Sequence, residues 1–214
     1  MKIKRKNQII TGIAFVVVFA VWTLMVKKVD VQSVGVNGTD IGFASLNSWF
    51  HSLTGVNMTL YKITDWLGLV PLFVCMMFGA VGFYQLIKRK SLIKVDFDIV
   101  VSGVYYVIVI MSYLIFEMIP VNYRPILING IAEASYPSST TLLVMTVMPT
   151  FVSLTNCRIK NIKAKKIIRD ATAVFCLFMV TGRLLSGVHW LTDIIGSILL
   201  STGLLCFYKA VNKK

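Results

Sequence analysis

Six stretches of this 214-residue chain are each apolar over about 20 residues, the length needed to cross the hydrocarbon core of a bilayer. They lie at residues 9–26, 67–87, 99–119, 136–155, 171–188 and 191–208. With 57% hydrophobic and 14% charged residues, and a mean hydropathy of +0.77, the composition excludes an ordinary soluble domain. The expected fold is all-α: an integral-membrane six-helix bundle forming one domain over residues 1–214. The first stretch follows the basic residues 1–6. It is too long for a signal-peptide core and no small-residue cleavage site follows it, so it is expected to remain as an anchor.

A net charge of +13 invites a nucleic-acid reading, but the distribution argues against it. Four Lys/Arg precede the first stretch, four lie between the second and third, six between the fourth and fifth, and three close the chain. Only Lys27, Lys28, Lys62, Arg124 and Arg183 fall on the other side. The positive-inside rule then places both termini in the cytoplasm, and the basic loops become topology signals and contacts for anionic lipids. Cys75, Cys157, Cys176 and Cys206 form no CxxC pair or disulfide framework and read as small apolar side chains. Together with two histidines they make no zinc-ligand set, so no metal or other cofactor is expected.

The longest outer loop, residues 27–66, contains the turn signal Asn37-Gly38. In it Ile41, Leu46, Trp49, Phe50 and Leu53 can share one helical face, which suits either a helix in the membrane interface or a segment packed on the bundle; the second is favoured. His51 reads as an interfacial residue.

Chemistry concentrates between the last two stretches, where Arg183, His189 and Asp193 stand close together. Ionisable groups near membrane depth are expensive and tend to mark function. Arg183 can grip phosphate oxygens with its planar fork. A neutral His189 can attack phosphorus, and Asp193, four residues on, can fix its tautomer. Two further segments converge on the same side. One carries Glu117 and Arg124-Pro125, where Pro125 keeps Arg124 from being absorbed into a helix. The other runs from Ser135 to Thr141 at the start of the fourth stretch. There Ser135 is the expected N-cap, Pro137 suits the first turn, and Ser138 and Ser139 with free backbone N–H groups can cradle an anion.

These three segments, between about residues 117 and 193, resemble the signature motifs of the type 2 phosphatidic acid phosphatase superfamily of integral-membrane lipid phosphatases, K-x6-R-P, P-S-G-H and S-R-x5-H-x3-D. The third matches from Arg183 through His189 to Asp193, with Gly182 in place of its serine. The resemblance implies a metal-independent phosphohydrolase acting on a phosphorylated lipid. It implies that His189 forms a phosphohistidine, that Asp193 orients it, and that Arg124 and Arg183 bind the phosphate.

Two positions depart from the pattern. Glu117 stands where the first motif has lysine, and Thr140 where the second has the histidine that protonates the leaving group. Three readings follow. A carboxyl, Glu117 or Glu133, supplies the acid; the leaving group needs none, as for a prenyl diphosphate; or the chain binds or scaffolds phosphorylated lipids without turnover. Glu117 is also expected to pair with Arg124 or Arg183. A transporter is disfavoured because the polar groups cluster near one face.

Overall fold

A computed structural model describes residues 2–212. Eight α-helices are present among them: α1 (Lys2–Lys28), α2 (Ala44–Thr54), α3 (Met58–Leu67), α4 (Leu69–Arg89), α5 (Phe97–Met118), α6 (Ser139–Arg158), α7 (Ile162–Leu185) and α8 (Leu191–Val211). No β-ladder forms beyond isolated bridges among the described residues, as expected where backbone polar groups must be satisfied within each segment.

Five segments are long and apolar enough to span a membrane: Ile3–Lys28, Met58–Arg89, Phe97–Met118, Ser139–Arg158 and Leu191–Val211. The sixth expected span, α7, is 24 residues long but fails on apolarity. Its first turns carry Lys163, Lys165, Lys166, Arg169 and Asp170. At their basic ends the helices run past the expected stretches, because intrahelical hydrogen bonding continues into flanks that hydropathy does not count, whereas at the opposite ends α5, α6 and α7 stop one to three residues short of them. Thus α1 begins in the N-terminal lysines, and α3 and α4 are nearly continuous across Gly68.

α6 is the central helix and packs on α4, α5, α7 and α8. Leu142, Val144, Val147 and Leu154 on it are wholly buried, and Tyr106 on α5 hydrogen-bonds Thr150 at 2.6 Å. α1 lies along α8 at close range: a Cβ on Gly203 would meet Val16 Cγ2 at 3.0 Å. Small residues at such contacts let helices approach without a hydrophobic drive between them. Phe19, Phe116 and Tyr136 cluster at the end of the core that holds His189, with centroids 5.6–6.2 Å apart. At the other end, Arg158 of α6 forks onto the buried Asp98 of α5 at 2.9 and 3.2 Å. Large apolar side chains such as Phe73, Phe83, Val107 and Val174 point outward, the pattern of a lipid-facing surface.

The residue 27–66 loop folds over one end of this bundle. Asn37 and Gly38 take positive φ, as their turn signal predicts. The expected helical face is corrected. Ile41 lies before α2, fully buried and bridged to Gln32, while Leu46, Trp49 and Leu53 form an exposed stripe. α2 docks instead by its polar side. Asn47 Nδ2 donates to Thr192 Oγ1 at 3.0 Å, and the His51 ring nitrogen meets the Gly187 carbonyl at 3.1 Å. Hydrogen bonds to Gly187 in the loop before α8 and to Thr192 in its first turn outweigh apolar burial here.

Candidate active site

Between α5 and α6 the chain makes a hairpin-like excursion. Isolated bridges pair Tyr123 with Ala134 and Ile128 with Ile131, and Asn129 and Gly130 turn the chain with positive φ. Arg124 N donates to Glu133 O at 3.0 Å and Ser135 N to Asn122 O at 2.9 Å. Trp190, just before α8, ties this excursion down by donating its indole N–H to Tyr123 O at 2.7 Å. Arg124 and Ser135 are thereby carried to the start of α8, beside His189.

His189 lies in the short connection between α7 and α8 and is buried. Its Nδ1 donates to Ser135 O at 3.1 Å, and its Nε2 accepts from Arg183 Nη2 at 3.2 Å. That pattern places the lone pair on Nε2, the tautomer a nucleophile needs. Burial, and then the charges of Arg124 and Arg183, push the imidazole well below its ordinary value of 6.5, against the hydrogen bond to Ser135. Asp193 Oδ2 is 3.5 Å from Nδ1 but closes a 2.9 Å hydrogen bond from Trp190 N. The aspartate therefore caps α8 while facing the histidine, and the Ser135 carbonyl shares the orienting role expected of Asp193 alone.

Arg183, in the last turn of α7, is 1% exposed. Its Nη1 pairs with Asp65 of α3 at 3.4 Å, and its guanidinium lies 5.0 Å from the Tyr61 ring centre. Arg124 flanks the same ring at 5.9 Å. Arg124 Nε is 3.0 Å from Glu133 Oε2 without the alignment of a hydrogen bond, and both its Nε and Nη1 lack a partner. Two guanidinium groups on one aromatic ring, with donors unspent, have the chemistry that suits an oxyanion.

Arg124, though not Arg183, lines a polar cavity of about 210 Å³ together with Glu117, Glu133, Ser135, Ser139, His189 and aromatic and backbone neighbours; Arg183 reaches its edge through His189. A larger hollow of about 550 Å³ between α4 and α5 is lined by apolar side chains and glycines, and its chemistry offers nothing to a phosphate.

The remaining expected positions fall as follows. Ser138, not Ser135, caps α6; its hydroxyl accepts from Thr141 N at 3.5 Å and donates to Thr141 Oγ1 at 3.1 Å. That side chain is spent on the helix and stays out of the cavity, whereas Ser139 lines it. Thr140 is buried against the α3–α4 corner, where a Cβ on Gly68 would meet its methyl at 3.2 Å, and it does not line the cavity. Glu117 lines the cavity but pairs with neither arginine: Glu133 stands at Arg124 and Asp65 at Arg183. The reason is reach, since the hairpin-like pairing sets residue 133 directly opposite residue 124. Tyr61, Asp65 and Asn122 were not expected from sequence. The only signal for the first two is their i, i+4 spacing on one short amphipathic helix.

The family model of the PAP2 superfamily matches residues 73–214. The chain belongs to the PAP2 superfamily. No curated protein matches it. Among solved structures it is similar to a transmembrane PAP2-type phosphatidylglycerolphosphate phosphatase from Bacillus subtilis, with a TM-score of 0.63 and 16% identity, covering 94% of each chain. That likeness carries the PAP2 membrane-phosphatase fold. Tyr61 and Asp65, which hold Arg183, lie before the residues that the PAP2 family model matches.

Proposed function

We propose that this protein is a lipid phosphate phosphohydrolase that works through a phosphohistidine on His189. The observation that carries the reading is the neutral imidazole itself, its Nε2 lone pair exposed to Arg183 at the edge of a cavity that Arg124 also lines. An incoming phosphate competes for the Arg183 N–H and frees Nε2. The Nε2 lone pair then forms the N–P bond as the P–O bond to the leaving group breaks and takes its electron pair away. Nδ1 keeps its proton, and the resulting positive ring faces the Asp193 carboxylate. Water attacks phosphorus in the second step and the N–P electrons return to Nε2. Arg124, Arg183 and the Ser139 region stabilise charge on the transferring group, where most of the catalysis of phosphoryl transfer lies. Guanidinium groups carry this charge, so the reaction needs no metal.

α7 is taken as the sixth span, with its basic first turns on the cytoplasmic side, both termini in the cytoplasm and the site at the outer face. Thr140 lies outside the cavity and is replaced by no other histidine, which favours a leaving group that departs unprotonated. A prenyl diphosphate such as undecaprenyl diphosphate fits this better than a phosphatidate-type lipid, because phosphate is a far better leaving group than an alkoxide. The second reading, a protein that binds or scaffolds phosphorylated lipids, is favoured by the same missing histidine.

The test is phosphate release by purified protein in detergent, without added metal, from undecaprenyl diphosphate and phosphatidate in parallel, with His189→Ala as control. Release that vanishes in the variant supports the phosphatase, and faster release from the diphosphate supports the leaving-group argument. Binding of both lipids without release moves the assignment to the binding protein.

A further inference from the structure

In and behind the cavity wall lie three buried polar atoms that the reaction above leaves unused. Asn122 Nδ2, Ser135 Oγ and Asp193 Oδ1 have no hydrogen-bond partner, in residues that are 1%, 2% and 0% exposed. A single buried unmet polar atom is costly, and native structures rarely keep several together without a use. Here the set is complementary: two donors and one acceptor.

The three belong to one continuous arrangement. Ser135 N donates to Asn122 O at 2.9 Å, so the two residues stand opposite each other on the excursion between α5 and α6. Ser135 O receives the His189 Nδ1 proton at 3.1 Å, and that same Nδ1 is 3.5 Å from Asp193 Oδ2. The Asn122 and Ser135 side chains both stand beside the Asp193 carboxylate. Asn122 Oδ1 is taken by Gly42 N at 3.4 Å, which leaves Nδ2 as the free end of the amide. Asp193 Oδ2 is held by Trp190 N. Only Oδ1 remains open, and these two are the uncharged, uncommitted donors beside it, the unpartnered Arg124 and Arg183 N–H groups being those left for phosphate.

We propose that Asn122 and Ser135 are positioning residues that donate their Nδ2–H and Oγ–H to Asp193 Oδ1 and so hold the carboxylate against His189 during phosphoryl transfer. The proposal rests on the phosphohistidine reading. When Nε2 bonds to phosphorus, the ring becomes cationic with its proton still on Nδ1. A carboxylate already fixed by three donors meets that charge without reorganising, which is where preorganised electrostatics gains its effect. No proton passes through Asn122 or Ser135. They act only through Asp193.

The experiment is single-turnover labelling of His189 from a ³²P-labelled prenyl diphosphate, with steady-state phosphate release alongside. It compares wild type, Ser135→Ala, Ser135→Thr, Asn122→Ala and Asn122→Asp, each also in an Asp193→Asn background. Ser135→Ala and Asn122→Ala are expected to slow labelling about 10- to 100-fold, the range for losing a hydrogen bond to a charged group, with KM little changed. Ser135→Thr keeps the hydroxyl and recovers most of the rate. Asn122→Asp keeps the shape and the Gly42 contact but turns an acceptor toward Asp193, and falls at least as far as Ala. In the Asp193→Asn background none of these changes costs a further loss, which a merely structural role would not produce. Equal losses in both backgrounds, or a wild-type labelling rate in either alanine variant, overturn the proposal while the labelled wild type leaves the phosphohistidine reading standing. Absence of label in the wild type overturns both. Where an alanine variant does not fold, Ser135→Thr and Asn122→Asp decide between the same outcomes.

Discussion

A buried imidazole set between two guanidinium groups resists protonation, since the proton would enter a low-dielectric space already carrying positive charge. This gives His189 a pH signature with a definite sign. The unfolded chain takes a proton at His189 near the ordinary value of 6.5, while the folded form does so only at lower pH. The stability associated with the neutral ring is therefore retained above 6.5 and lost as the pH falls from there toward the lower folded value. Thermal midpoints should drop on acidification from about pH 7.5 to about pH 5.5 in wild type and less steeply in His189→Asn; parallel slopes would contradict this origin. Arg183→Lys tests the fork. Lysine keeps one charge but cannot reach Asp65, His189 and the Tyr61 face together, and kcat/KM should fall about 100-fold, measured by phosphate release. Glu117→Lys adds a cation to the cavity wall without breaking an ion pair. Its expected effect is a severalfold lower KM, where the sequence-level expectation of an arginine pairing would have had the site disrupted.

At the scale of elements, the connection from α7 to α8 is held by contacts that a hydropathy plot does not contain. Gly187 has φ +68, and an added Cβ would sit 1.9 Å from Gly55 O. Both the left-handed backbone and the clash with main chain disfavour a side chain. Gly187→Ala should cost about 2–4 kcal/mol and displace His189, seen as a lower melting temperature with loss of phosphate release. α2 illustrates the limit of amphipathic patterning. Its apolar stripe was legible, yet the side that docks is the one bearing Asn47 and His51, because only those side chains satisfy the Thr192 hydroxyl and Gly187 carbonyl. At the opposite end of the bundle, Arg158→Ala would leave Asp98 buried without its fork. A loss of about 2 kcal/mol or more is expected in detergent melting, without a change in KM, since this pair is remote from the cavity.

For the whole molecule, the outer-face assignment predicts an asymmetric labelling pattern. In a protein reduced to single cysteines, an impermeant maleimide should label a cysteine placed at the exposed position Ser52 in intact cells, and the exposed Cys157 only after the membrane is opened. The reverse pattern would invert the topology. The sequence by itself determined that the chain is an all-helical membrane protein, because length and hydropathy of a helix are local quantities, counted along one segment. It also determined the Arg183, His189 and Asp193 constellation, because these residues lie within about three helical turns and their spacing survives folding. Tertiary structure alone decided which carboxylate faces which arginine, that Ser138 rather than Ser135 caps α6, and that Tyr61, Asp65, Asn122 and the Ser135 carbonyl join the site. Those pairings join residues up to 118 positions apart. They follow from where the bundle sets the ends of its helices, and in a single chain no local period or propensity encodes a distance across the fold.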